Sequence, residues 1–157
     1  MEPLTGRRLY GRIAESGLHY CGLAAYDGMA DAVLRDEDFP AGNLDVLTYR
    51  TYALSNDGVC LMAAKRASAA AFLTAMAEEG LTGAADLRRA AALYTQESQV
   101  FERAVRLAPW SGAPEAKRLA LAERPRREEI SRLVREAKGY EEQAVQCLER
   151  ALAALQK

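Results

Sequence analysis

A single histidine stands among the 157 residues, and that scarcity removes several chemistries at once. The di-iron carboxylate sites of helical bundles need Glu-x-x-His on two helices plus two further glutamates. His19 lies outside any such spacing. Zinc sites need clustered cysteine and histidine. The three cysteines, Cys21, Cys60 and Cys147, are widely spaced and odd in number. Each sits in an apolar neighbourhood, which fits reduced thiols used as small core residues rather than a disulfide framework. No metal site and no cofactor are therefore expected.

Charge of one sign is lacking too. Basic and acidic residues nearly cancel, leaving −1, whereas nucleic-acid binders carry a basic surplus or patch. Arg124, Arg126 and Arg127 form the nearest candidate patch, but Glu123, Glu128 and Glu129 flank them. The run reads as a solvated helix start, and no nucleic-acid partner is expected. No apolar run reads as long enough to span a bilayer. The opening Met1–Thr5 lacks the basic-then-apolar order of a signal peptide. A cytoplasmic protein with no membrane partner is the expectation. Gly-x-Ser-x-Gly elbows, phosphate loops and dinucleotide fingerprints are also missing.

β-Branched residues are few, and alanine and leucine supply most of the apolar share. Those two favour helix, so composition points to an all-α fold: a single helical domain, a bundle of four main helices plus one or two short ones. Residues 1–17 read as weakly ordered or as a short helix over Arg7–Ser16, weakened by Gly6, Gly11 and Gly17. A helix over Leu18–Leu34 follows, ended by Pro40, which disfavours helix in the residue before it. Asn43 is a good cap for the next one.

From Leu44 an apolar stripe runs through Leu47, Thr51, Leu54, Gly58, Leu61, Ala64, Ser68, Phe72 and Ala75. Ser55–Gly58 carries turn residues, so residues 44–79 form either one helix or a hairpin of two. A hairpin need not preserve phase, and the preserved phase favours one helix with another helix close to Gly58. Gly80 suits a left-handed cap, with Thr82 as the cap of a helix over 84–108. That helix carries Leu87, Ala91, Tyr94, Phe101, Val105 and Ala108, widened by Leu93, Val100 and Leu107. Pro114 opens a short helix to about Ala122, and Pro125 suits the first turn of the last one. The closing stripe runs from Ile130 through Leu133, Val134, Ala137, Tyr140, Ala144, Cys147, Leu148, Ala151 and Leu152 to Leu155.

Two acids interrupt these stripes. Glu97 falls between Leu93 and Val100, and Glu141 takes the matching place beside Tyr140. Carboxylates pointing into a bundle are costly unless paired, and they sometimes mark a ligand site. Glu97, Glu141, Tyr94 and Tyr140 are thus the candidate pocket residues. The other reading places each glutamate at the stripe's edge, meeting an arginine. Arg50 and Lys65 lie beside the seam of the third helix. Tyr26, Tyr49 and Tyr52 could also line a pocket, although tyrosines at helical spacing are more often core residues with a rim hydroxyl. His19 and Cys21 diverge on a helix, so they form no nucleophile pair. No catalytic residue emerges.

The stretch Cys-Gly-Leu-Ala-Ala-Tyr-Asp-Gly-Met-Ala-Asp-Ala-Val-Leu-Arg-Asp-Glu-Asp-Phe-Pro (21–40) is followed by Leu-Met-Ala-Ala-Lys-Arg-Ala-Ser-Ala-Ala-Ala-Phe-Leu (61–73) and Ala-Ala-Leu-Tyr-Thr-Gln-Glu-Ser (91–98). From about Gly17 onward the chain resembles the helical C-terminal region of bacterial proteins similar to butirosin biosynthesis protein H, which carry a papain-like cysteine-peptidase fold in front. The resemblance implies an accessory domain that covers a substrate cleft, binds an acyl or peptide substrate, or mediates dimerisation. The catalytic cysteine and histidine of those proteins belong to the preceding fold, and Cys21 matches neither; the chain reads as a stand-alone or truncated version. The expected function is a non-catalytic bundle for self-association or for binding another protein, with exposed apolar residues around Leu93, Val100 and Leu107. The alternative is small-molecule binding, enzymatic or not, in a pocket between helices.

Overall fold

The computed structural model describes residues 9–13, 17–20, 22–109 and 119–156, the first two ranges by backbone alone. The protein is a helical bundle preceded by a two-stranded antiparallel hairpin, β1 (Leu9–Ile13) and β2 (Gly17–Tyr20). The short helix expected over Arg7–Ser16 is replaced by β1 where it is described. Gly11 and Gly17 disfavour a helix interior, and the register is irregular between Tyr10 and Ile13. The first helix accordingly starts later than expected: α1 spans Leu23–Ala32.

The long second helix, α2, runs unbroken over Leu44–Glu78. Its three parts are an α-helical Leu44–Tyr52, a π-helical Ala53–Cys60 and an α-helical Leu61–Glu78. The Asn43 side chain caps it as expected, accepting from the Val46 N–H at 3.2 Å. Residues Ser55–Gly58 therefore make no hairpin. The wider π turn absorbs them, and it changes which face is buried. The inward row is Leu47, Thr51, Ser55, Val59, Ala63, Ala70, Leu73 and Ala77. Four-residue steps from Leu47 to Ala63 match a helix wound looser than 3.6 residues per turn, after which ordinary steps resume.

The stripe expected from Leu61 onward is consequently on the wrong side. Leu61, Ala64, Ser68, Phe72 and Ala75 are all exposed, and Phe72 is 63% exposed. The helix near Gly58 is also not a backbone approach: a Cβ there would meet the Met29 side chain of α1 at an ordinary 3.5 Å. By length and composition α2 is apolar enough to cross a bilayer, contrary to the sequence expectation. It nonetheless packs its inward row on the next helix.

Gly80 has the expected positive φ of 70°. The cap of α3 (Ala84–Leu107) is Gly83 rather than Thr82. Gly83 holds φ 92°, and a Cβ there would lie 3.0 Å from Ala151 Cα of the last helix. No side chain fits that contact without movement, which explains a glycine where sequence suggested a side-chain cap. A 3-10 turn at Leu119–Ala122 is the described part of the expected fifth helix; residues 110–118 lie outside the description. The last helix, α4, spans Arg124–Leu155 with Pro125 in its first turn.

α3 packs on both α2 and α4 and forms the centre of the bundle. Two apolar cores result. One gathers Tyr26, Val33, Leu47, Val59, Phe101, Leu121, Ile130 and Val134. The other gathers Ala70, Leu73, Leu87, Tyr94, Ala144, Cys147 and Ala151. The apolar surface that these cores remove from water is the main stabilising term.

Candidate functional site

Between the two cores lies a polar layer to which all four long helices contribute. Reading along each helix, Ala63 and Ala70 flank Arg66, Val100 and Tyr94 flank Glu97, and Ala137 and Ala144 flank Glu141. α1 supplies Tyr26. The Tyr26 hydroxyl donates to Glu97 Oε1 at 2.5 Å. Arg66 Nε donates to the same oxygen at 2.9 Å, and Arg66 Nη2 donates to Tyr26 Oη at 3.0 Å. Arg66 Nη2 also lies 3.0 Å from Glu141 Oε2, a close ion pair without the alignment of a hydrogen bond. The guanidinium sits 5.1 Å from the Tyr94 ring centre, within cation–π range. Ser98 ties the layer to α2 by donating to the Ala63 carbonyl at 2.9 Å.

Three of the four candidate residues thus converge, and they converge on a side chain that fills the space between them. Glu97, Glu141 and Tyr94 surround Arg66; Tyr140 does not join them. Tyr140 is half-buried and lines a separate open groove of about 410 Å³ between α3 and α4, with Gln99, Arg103 and Glu136. Of the remaining tyrosines, Tyr26 belongs to the layer, while Tyr49 and Tyr52 are exposed. Arg50 pairs with Asp38 at 2.5 Å, and Lys65 is exposed. The sequence reading missed Arg66 itself. Its signal was present but shifted: a 3.6-residue phase carried through Ser55–Gly58 puts Lys65 beside the seam, whereas the π turn rotates Arg66 onto it.

The electrostatics follow from two acids facing one guanidinium. Glu97 is fully buried, and its second oxygen, Oε2, has no hydrogen-bond partner among the described residues. Burial pushes the Glu97 carboxyl up to about 7, against the pull of Arg66 and the Tyr26 hydrogen bond, and the Glu141 charge adds to the rise. Tyr94 is pushed up to about 12 by burial and by the nearby Glu141 charge. Burial and the Glu97 charge hold Tyr26 well above the usual phenol range. Burial opposes the Arg66 charge, yet Tyr26, Glu97 and Glu141 together keep that group protonated. Glu97 is the member of this layer poised to gain or lose a proton near neutrality. The layer fixes the mutual register of four helices, because sliding any one would strand a buried charge, at a cost of several kcal/mol.

The arginine run at the start of α4 is less solvated than its sequence suggests. Arg127 is 2% exposed. It donates to the Val33 and Arg35 carbonyls at 3.2 and 3.4 Å and to Asp36 at 2.5 Å, and its guanidinium lies 5.0 Å from the Phe39 ring centre. Arg124 donates to the Leu34 carbonyl at 2.9 Å and Arg126 to the Leu107 carbonyl at 3.2 Å. These residues neutralise carbonyls just beyond α1 and at the end of α3, a cation's usual role at a helix C-terminus.

The apolar surface expected around Leu93, Val100 and Leu107 is absent: Val100 is buried, and the other two are half-buried against the cores. The exposed apolar row lies instead along the outer side of α2. Tyr49 (66% exposed), Tyr52, Leu61 and Phe72 are its large members, with Ala64 and Ser68 between Leu61 and Phe72 and Ala75 one turn beyond. Among the described residues no group of three or more His, Cys, Asp or Glu could hold a metal ion. His19 is described by backbone only, and Cys21 lies outside the description. Compared with known families, curated proteins and solved structures, the chain matches none.

Proposed function

We propose that this protein is a non-catalytic interaction module that docks through the outer face of α2. The carrying observation is the exposed row Tyr49, Tyr52, Leu61 and Phe72 on an unbroken 35-residue helix whose opposite side is fully engaged in the bundle. Scattered surface hydrophobics need no explanation, but six of the nine large exposed hydrophobics among the described residues lie on this one helix, a concentration that supports an interaction site there. The polar layer supports the same reading. Its carboxylates meet Arg66 rather than a vacant pocket, so they serve to hold the helices in register and keep the outer face straight.

The direct test places a photo-reactive benzophenone amino acid at position 72 and irradiates cells expressing the full chain. A discrete cross-linked adduct, absent when the same residue is placed at exposed Glu102 on α3, is the expected result. A chain that yields no adduct from position 72 would contradict the proposal. The sequence resemblance makes a cysteine-peptidase-fold protein one candidate for the adduct's second component; another copy of this chain is the other.

A further inference from the structure

The charges left over on α2 identify the chemistry of its occupant. Arg50 pairs with Asp38, and Arg66 faces Glu97 and Glu141 inside the bundle. Asp45, Asp57, Glu78 and the capping Glu79 are exposed and form no salt bridge among the described residues; Lys65 is the one base left over beside them. Asp45 suits the positive end of the helix dipole. Glu78 and Glu79 stand at the opposite end, where that dipole disfavours an acid. Asp57 stands midway between the inward Ser55 and Val59, on the side away from the core. Among the described residues these three acids meet no cation. We infer that the occupant of the outer face is an amphipathic helix of another protein, with lysine or arginine flanking its apolar stripe. The inference rests on the docking face proposed above.

A helix is the form that fits. The backbone of α2 is bonded within itself, so an extended segment laid on it would find no strand edge and leave its own N–H and C=O groups unpaired. A helix satisfies its own backbone and meets α2 through side chains alone. Tyr49, Leu61 and Phe72 span about 35 Å of helix axis, so the partner segment needs roughly 23 residues. Its apolar stripe covers Leu61, Ala64, Phe72 and Ala75, while its basic margins reach Asp57 in the middle and Glu78 and Glu79 at the end. The same acids count against other occupants. A second copy of this chain sets acid against acid, and nucleic acid or an anionic bilayer surface is repelled.

A strip about 35 Å long and about 10 Å wide gives on the order of 350 Å² per partner, well below the roughly 800 Å² of a stable complex. The complex is therefore transient, micromolar or weaker, and its specificity comes from charge.

The test is fluorescence anisotropy of a labelled four-heptad model peptide titrated with the purified full chain. The peptide carries leucine at positions a and d and lysine at e and g, where like charges keep it from pairing with itself. It should bind, and the same peptide with glutamate at e and g should bind at least tenfold more weakly. Asp57→Lys combined with Glu79→Lys should weaken the lysine peptide at least tenfold, Phe72→Ala should weaken it at least fivefold, and Lys65→Glu should tighten it. Salt raised from about 0.05 to about 0.5 M should weaken it several-fold. All four positions are exposed, so the variants should keep the wild-type helical circular dichroism signal. No binding of the lysine peptide, equal affinity for the two peptides, or binding that either the charge reversal or Phe72→Ala leaves unchanged overturns the inference. So does flotation of the chain with phosphatidylserine vesicles, or an adduct from position 72 to a second copy. The docking face itself stands or falls separately, on whether position 72 yields any adduct in cells.

Discussion

The buried Glu97 carboxyl should make the bundle less stable as pH rises through neutrality, opposite to the behaviour of ordinary salt-bridged carboxylates. In the folded protein Glu97 is fully buried, with Tyr26 and Arg66 both donating to Oε1, and its pKa stands at about 7 against an ordinary 4.5. In the unfolded chain the same group ionises near its ordinary value. Between those two values the folded state holds a proton that the unfolded state has released. A raised carboxyl pKa therefore contributes stability below about pH 4.5 that is lost as pH rises through about 7. At 1.36 kcal/mol per pH unit of difference, the whole effect is about 3 kcal/mol. That is a large share of a domain's typical total of about 5–15 kcal/mol.

Urea unfolding followed by helical circular dichroism from pH 5 to 8.5 measures it directly. Wild type should lose about 3 kcal/mol across that window, while Glu97→Gln, which keeps an acceptor for Tyr26 and Arg66 but cannot ionise, should be nearly flat. Arg66 would still face Glu141 in that variant. A wild-type curve that is flat or rises over this range, or a Glu97→Gln curve with the same slope, would refute the reasoning.

Three other outcomes follow from the packing and the charges. Phe101, about 1% exposed and in contact with the Tyr26 ring at 6.1 Å between centroids, should cost roughly 3–5 kcal/mol on Phe101→Ala in the same denaturation assay. Gly83→Ala should cost roughly 1–3 kcal/mol, because it combines a positive φ with a Cβ pressed on the Ala151 backbone; a neutral effect would contradict the close approach of α3 to α4. At the acid end, hydrogen bonds from Arg127 and Arg124 hold Asp36 below its usual range, and Arg132 does the same for Glu129. Their contribution is present above the ordinary carboxylate pKa and is lost as pH falls through the depressed one. Asp36→Asn should therefore narrow the difference in stability between pH 5 and pH 2.5, read from thermal melts.

The helices that keep an ordinary 3.6-residue period were legible from the residues alone. The stripes of α3 and α4 are buried where their spacing put them from Leu87 to Ala108 and from Ile130 to Ala151, although Leu152 and Leu155 at the end of the α4 stripe are exposed beyond the last packed turn, and Asn43 caps α2 as its side chain suggested. Glu97 and Glu141 were legible as a pair for a simple reason: a charge on an apolar stripe must find a partner. What failed was a change of period. Eight residues of π-helix, Ala53–Cys60, turn the face of α2 so that Phe72 points outward and Arg66 inward. No propensity or motif in Ser-Asn-Asp-Gly announces that winding, which depends on the fit of α2 against α1 and α3. The missing partner of the two acids and the misplaced apolar stripe are thus one error. Arg127 illustrates a second kind. Its sequence neighbours are charged, and its burial comes from carbonyls that arrive from the far end of α1 and the turn beyond it.

The central claim is that the outer face of α2 is covered when the protein is assembled. Cys60 is exposed close to that face, whereas Cys147 is buried and serves as the internal reference. Maleimide labelling, resolved by peptide mass spectrometry, gives the rate at Cys60 in cells expressing the full chain and in the purified, dilute protein. The account predicts that Cys60 labels several-fold more slowly in the cells and that Phe72→Glu restores the dilute rate. A Cys60 rate that is the same in both, with and without the substitution, would contradict it.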